Sequence, residues 1–294
     1  MSIRIDNITR GRFGNKILQY NSLLQLATKY NIKPSCIWEG ESKYFKNIVN
    51  FIPKSNKPIK LLFCKNIIEE SKLDFGKYEY ILDDPSYCIH NVFYNLTHTD
   101  PRNFLELKDK YKTNLSKDIL HIGIHIRGGD ILGADGNMGR EIHPFEYYKK
   151  CIDDIIITFN KEKKFYVCSD DINFNTFIKT VQYLKEKKYN YDIGPSTICN
   201  TEHIYDFSLL IECDILINSS STYCISAGFL GKKNKLIYHY NKWIQKNINH
   251  EKWNNKETCM VNGINIIDFR KTFDNFWIKL SNGGNSFYNA YKIF

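Results

Sequence analysis

The sequence predicts an open, parallel α/β fold with a nucleotide site along one sheet edge, and three observations predict it. Apolar runs at 119–126, 165–168 and 214–217 each break into a polar cluster: Arg127-Gly128-Gly129-Asp130, Ser169-Asp170-Asp171 and Asn218-Ser219-Ser220-Ser221-Thr222. Helical periodicity fills the intervals between the runs. Glycines, which let a backbone approach a ligand, stand where strands give way to helices. In open parallel sheets ligands bind beyond the carboxyl ends of the strands, so these endings describe the floor of a site.

The first forty residues read as a βαβ start. A short strand near residues 3–5 leads into the turn Thr9-Arg10-Gly11-Arg12-Phe13-Gly14-Asn15, which delivers backbone amides to a helix N-terminus. Ile17, Tyr20, Leu24 and Ala27 then recur at helical spacing, and a strand follows at 35–38. Residues 40–115 alternate short aromatic runs with Pro, Asn and Asp breaks and support only an irregular α/β assignment. From residue 118 the pattern becomes regular. The strand at 119–126 sets Leu120, Ile122, Ile124 and Ile126 on one face and His121, Gly123 and His125 on the other. Pro144 suits the first turn of a helix carrying Tyr148, Cys151 or Ile152, Ile155 and Phe159. A strand at 165–168, a helix at 204–213, a strand at 215–217, a helix at 223–230 closed by Gly231 and a strand at 235–240 complete the alternation of a parallel sheet. A last helix is expected around 269–280.

A chain of 294 residues with 43% hydrophobic and 15% aromatic content can supply one large core or two modest ones. Nine cysteines, an odd number without a Cys-x-x-Cys pair, argue against a disulfide framework or a structural zinc and favour a reducing, cytoplasmic setting. The N-terminus lacks a basic region followed by an apolar stretch, and no later run approaches the roughly 18 apolar residues of a membrane span. A soluble, unsecreted protein without a membrane span is the expectation. The net charge of +9 comes mostly from 34 lysines in clusters such as 161–164 and 185–188, which read as solvated faces. No recognition helix, RNA-binding aromatic signature or zinc finger accompanies them, so no nucleic-acid partner is expected. Arginine is more informative. Of seven, Arg10, Arg12 and Arg127 lie in or beside the glycine motifs.

Each motif has a chemical and a structural interpretation. Arg127 can fork onto a diphosphate, and Asp130 can orient it or accept a proton; the alternative is an Arg127–Asp130 pair serving only the turn. Gly11 to Asn15 can close over a ligand or form a tight turn capped by Asn15. Ser169, Asp170 and Asp171 suit a cap for the next helix, with direct contact to a ligand as the alternative. Residues 218–222 offer hydroxyls and helix-start amides to an anion, or a polar cap. Asp206 could receive two hydrogen bonds from guanine or be an exposed helix acid. No Asp-x-Asp pair is present to hold a divalent metal, no phosphate loop of the Gly-x-x-x-x-Gly-Lys type occurs, and His121 with His125 lacks a third ligand. No metal and no cofactor are therefore expected.

Taken in order, these motifs resemble the fucosyltransferase superfamily, and the α1,2-fucosyltransferases above all. Gly11-Arg-Phe-Gly-Asn-Lys-Ile-Leu-Gln-Tyr20 is similar to that family's N-terminal glycine motif, and His125 to Asp130 is similar to its His-x-Arg-x-Gly-Asp signature. Tyr147-Tyr-Lys-Lys-Cys-Ile152, Phe165-Tyr-Val-Cys-Ser-Asp-Asp-Ile172 and residues 206–222 match later blocks. The form Gly-Arg-Phe-Gly-Asn also resembles the protein O-fucosyltransferases. The resemblance implies a GT-B architecture: two Rossmann-like domains whose parallel sheets face a central cleft, with 1–115 as the acceptor-side half, 116–250 as the nucleotide-sugar half and 251–294 as a helical tail packing back on the first half. It implies GDP-fucose as donor, a carbohydrate acceptor, inversion and no metal. Arg127 would hold the β-phosphate, His125 and Asp206 would face guanine, and Ser219, Ser220, Ser221 and Thr222 would line the phosphates. Arg12, Phe13, Gly14 and Asn15 would close over the donor, with Arg127, Asp130 and Asn15 as the catalytic candidates. Two departures stand out: a second arginine is common in the family where Gly128 stands, and tryptophans where Tyr223 and Cys224 stand. A protein O-fucosyltransferase-like enzyme, a transferase of another nucleotide sugar and a catalytically silent nucleotide or glycan binder are the competing functions.

Overall fold

A computed structural model describes residues 2–8, 11–52, 56–63, 73–83, 105–129, 143–199, 202–219, 221–231, 236–239, 253–254, 258–261 and 264–268. The chain divides into two compact units, with a boundary between Tyr111 and Lys112. Each is a Rossmann-like layer of parallel strands and helices, consistent with a GT-B-like architecture.

The first unit holds β1 (Ser2–Ile5), α1 (Phe13–Lys29), β2 (Lys33–Cys36), β3 (Ile59–Phe63) and β4 (Glu79–Asp83). Its sheet runs β2-β1-β4-β3, every pair parallel. The helical stripe read at Ile17, Tyr20, Leu24 and Ala27 is buried, as is most of the rest of α1. Trp38, fully buried, packs against Tyr20 and Phe45 and closes this core. Within the stretch that sequence left irregular, β3 and β4 pair in register from Ile59↔Glu79 to Phe63↔Asp83.

The second unit holds β5 (Leu120–Ile126), α2 (Phe145–Thr158), β6 (Lys163–Ser169), α3 (Asn175–Glu186), β7 (Tyr191–Ile193), α4 (Pro195–Cys199), α5 (Ile204–Glu212), β8 (Ile215–Asn218), α6 (Thr222–Leu230) and β9 (Leu236–His239). Three further strands follow: β10 (Trp253–Asn254), β11 (Thr258–Val261) and β12 (Ile264–Asp268). Strand order is β10-β11-β12-β9-β8-β5-β6-β7, with only the β10–β11 and β11–β12 pairs antiparallel.

The strand at the centre explains the layering. Ile122, Ile124 and Ile126 pack with Tyr147, Tyr148, Ile152 and Phe177 of α2 and α3 in one core. On the opposite face Gly123 leaves room for α5: a Cβ there would stand 2.6 Å from Leu210 Cδ2. Leu216, the register partner of Gly123, and Ile237 both lie against Gly228 of α6. The helix after β5 thus covers one face and the helix after β8 the other, although the two strands are neighbours. That reversal is the topological switch point where open α/β sheets bind ligands.

Three expectations need correction. Residues 253–254, 258–261 and 264–268, placed in a helical tail, are strands, in keeping with the strand preference of the β-branched residues Thr258, Val261, Ile264, Ile266 and Ile267; the helix expected at 269–280 lies outside the described residues. Ser169, Asp170 and Asp171 do not cap α3, whose N-cap is Phe174 without a side-chain bond. Asn15 does not begin α1, which starts two residues earlier behind Arg12.

Candidate functional site

Register gathers the three polar strand ends at the switch point. His125 pairs with Cys168 and Ile126 with Ser169, while Ile124 pairs with Ile217. Arg127, the 169–171 turn and the start of the 218–222 segment therefore leave the sheet side by side.

His125 lies at the centre of this edge, 6% exposed, with Nδ1 2.8 Å from Ser219 Oγ. The ring of Tyr223, from the first turn of α6, covers it at a centroid distance of 5.2 Å. Tyr223 is braced in turn by Phe207 at 5.1 Å and donates to the carbonyl of His203. Burial drives the His125 pKa down to about 4; the Asp170 carboxylate opposes that shift and the Arg127 guanidinium adds to it. His125 is a neutral imidazole near pH 7.

Arg127 is half-buried and begins the turn after β5. That turn is held by Asp170, whose Oδ1 accepts from Gly128 N at 2.7 Å and from Gly129 N at 3.1 Å. Gly128 is buried, and a Cβ added to it would meet Phe174 Cγ at 2.7 Å. Phe174, 2% exposed, thus fills the space a second arginine would need. Asp130 lies outside the described residues.

The Ser-rich segment is anchored from several directions. Ser221 Oγ accepts from Tyr223 N at 3.3 Å as the N-cap of α6, and Asn218 Oδ1 accepts from Ser221 N at 3.2 Å. Ser219 and Ser221 are buried, Thr222 is half-buried, and Ser220 lies outside the described residues. Sequence reading assigned no role to the tyrosines of α2, although their block was among the matches. Tyr147 donates to the carbonyls of Asn218 (2.9 Å) and Tyr238 (3.1 Å), and Tyr148 hydrogen-bonds Ser219. Two aromatic hydroxyls, adjacent in sequence, brace the end of β8.

Asp206 is no exposed helix acid. It is 5% exposed, and its carboxylate accepts from Ser196 N (2.7 Å), Thr197 N (3.1 Å) and Thr197 Oγ1 (2.6 Å). Thr197 Oγ1 also accepts from Ser169 N at 2.8 Å, which ties α4 to the end of β6. Burial raises the Asp206 pKa, and these hydrogen bonds hold it down. Of about four acceptor positions on a carboxylate, three are engaged by the protein.

In the first unit, Gly11 takes φ +75°, and Asn15 folds over it so closely that a Cβ at Gly11 would lie 2.2 Å from Asn15 Nδ2. Arg12 is exposed and Gly14 buried. Phe13, expected against the donor, is 4% exposed and stacks on Phe45 at 6.0 Å with Tyr44 edge-on at 5.9 Å. Its ring belongs to the core of its own unit.

Among the described residues, no three His, Cys, Asp or Glu side chains are grouped to hold a metal ion, and no helix is long and apolar enough to cross a membrane. His121 is engaged structurally, with Nδ1 3.1 Å from Tyr166 Oη and Nε2 2.7 Å from the Ser116 carbonyl.

No family model matches the chain, and no curated protein does. Among solved structures it is similar to the fucosyltransferase NodZ from Bradyrhizobium, with 12% identity and a TM-score of 0.45 over 78% of this chain and 93% of that one. A mutant of Arabidopsis thaliana FUT1 in complex with GDP gives 15% identity and a TM-score of 0.49 over 78% and 68%. The E. coli heptosyltransferase WaaC with ADP gives 11% identity and a TM-score of 0.43 over 82% and 88%. At these identities and scores the likenesses carry no residue-by-residue correspondence.

Proposed function

We propose that the chain is a metal-independent, inverting glycosyltransferase that moves fucose from GDP-fucose to a glycan hydroxyl in α1,2 linkage. The observation that supports this most is the gathering of Arg127, His125 and the hydroxyls of Ser219, Ser221 and Thr222 at the β5–β8 switch point, in the order in which the fucosyltransferase motifs run. Fucosyl transfer passes through an oxocarbenium-like state while negative charge builds on the departing diphosphate. A guanidinium fixed beside that charge lowers the barrier, and preorganised donors of this kind are worth on the order of 10²–10³ in rate. Arg127 takes that role. Buried, neutral His125 and the remaining acceptor position of Asp206 read the base, and the hydroxyls of residues 219–222 receive the phosphates. Arg12, Gly14 and Asn15 are proposed as further donor contacts, and Asp130 as the base or as the partner of Arg127.

Thermal shift with GDP, UDP, CMP and ADP tests the donor, because a ligand that binds only the native state raises the melting temperature. GDP alone is expected to stabilise strongly. Arg127→Ala is expected to abolish transfer from GDP-fucose to an acceptor array while keeping the native melting temperature; near-normal turnover in that variant removes the assignment. GDP-fucose that binds but is neither hydrolysed nor transferred with any acceptor would identify a silent binder instead.

A further inference from the structure

Where β8 ends, the strands that frame the site part. Ile124↔Ile217 is the last pair of β5 with β8, and Asn218↔His239 is the last of β8 with β9. The Asn218 carbonyl, one residue beyond the β5 pairing, takes its donor from α2 instead: Tyr147 Oη donates to it at 2.9 Å and to the Tyr238 carbonyl of β9 at 3.1 Å. One phenolic proton thus serves two carbonyls. Tyr147, Asn218 and Tyr238 are each no more than 1% exposed, so bulk water does not replace that proton. The Tyr147 ring is held by packing against His143 at 4.8 Å and Tyr148 at 5.0 Å, and burial keeps its phenol protonated.

A trans peptide sets its C=O and N–H in opposite directions. With the Asn218 carbonyl tied to α2, the Ser219 N–H is turned away from α2, and the path into residues 219–222 is fixed at its first peptide. The Asn218 side chain fixes the next step: its Oδ1 accepts from Ser221 N at 3.2 Å, and Ser221 Oγ accepts from Tyr223 N at 3.3 Å. Both polar ends of Asn218 are therefore engaged, one by the helix behind the sheet and one by the segment it launches.

We propose that Tyr147 is a positioning residue: its hydroxyl fixes the Asn218–Ser219 peptide from the layer behind the sheet and so holds Ser219, Ser221 and Thr222 where they receive the phosphates of the bound nucleotide. At 1% exposure it touches no ligand itself. The base is read by groups on β5 and α5, so loss of this brace weakens the phosphate part of binding more than the base part. The ligand half of the proposal rests on the nucleotide function proposed above; the brace does not.

The test is Tyr147→Phe in the full chain, which keeps the ring and removes the hydroxyl. Its affinity for GDP is expected to fall about tenfold more than its affinity for guanosine, as misplacing one oriented hydrogen bond implies. Ile155→Val, a core change in the same helix, is expected to lower the melting temperature while leaving the GDP-to-guanosine ratio as in the wild type. Without ligand, the Ser221 amide should exchange its hydrogen about tenfold faster in Tyr147→Phe when measured against the amides of β5. An unaltered GDP-to-guanosine ratio in Tyr147→Phe overturns the proposal, as does a ratio that falls equally in Ile155→Val. Should the phenylalanine variant not fold, the wild type decides: the Tyr147 hydroxyl proton should give a slowly exchanging resonance close to Asn218 and Tyr238, and a rapidly exchanging one removes the brace. Faster Ser221 exchange in a protein that binds neither ligand would keep the brace and remove the nucleotide function.

Discussion

Asp170 and Gly128 are joined across 42 positions of sequence by a 2.7 Å hydrogen bond from the Gly128 amide to Asp170 Oδ1, and the same oxygen accepts from Gly129 at 3.1 Å. The acid after β6 therefore shapes the turn after β5, and with it the departure of Arg127. Asp170→Ala strands both amides, which predicts a loss of about 1–3 kcal/mol in urea unfolding. Asp170→Asn retains an acceptor oxygen and should lose less. Equal stability of the alanine variant and the wild type would show that the turn stands without this contact.

Gly128→Ala is expected to destabilise by about 1–3 kcal/mol, because the added methyl collides with buried Phe174 in a packed site. Combining it with Phe174→Leu should recover part of that loss, since a smaller side chain makes room. Two losses that simply add would argue that residues 128 and 174 do not compete for the same space.

The depressed pKa of His125 makes stability depend on pH. Between the unfolded value of about 6.5 and the folded value of about 4, the unfolded chain binds a proton that the folded one refuses. Stability is therefore full above about pH 6.5, falls with decreasing pH, and levels off below about pH 4, with a total of order 3 kcal/mol for this group. The measurement is the unfolding free energy of the wild type and of His125→Gln across that window. The variant should lack this component of the slope, and identical profiles would refute it.

Gly11→Ala is predicted to cost about 1–3 kcal/mol, because the position needs a left-handed backbone and Asn15 occupies the space of a side chain. Adding Asn15→Ala to it should relieve the contact but not the backbone strain. Placing both changes together should therefore recover only part of the loss, as seen in melting temperature.

Much of the second unit was legible in the sequence because its signals are local. The alternation along 120–126, the helical stripe from Tyr148 to Ile155 and Gly231 after Leu230 specify elements through the near-neighbour geometry of strands and helices, and the polar endings of β5, β6 and β8 follow in plain order. Residues 40–115 were not legible, since β3 and β4 are five residues each, bounded by breaks such as Pro58 and Pro85, and acquire their identity only by pairing, β3 with β4 and β4 with β1.

What the sequence alone determined is an α/β chain whose strand ends carry an arginine, a histidine and a run of hydroxyls suited to a phosphorylated ligand. Only the tertiary structure decided which of those groups face one another: Asp170 at the Arg127 turn, Tyr147 and Tyr148 behind β8, Asp206 turned to Ser196 and Thr197, and Phe13 withdrawn into its own core. The physical reason is that a hydrogen bond between residues such as His125 and Ser219, 94 positions apart, is written in no local pattern; it exists because β5 and β8 are neighbours in a sheet ordered by packing.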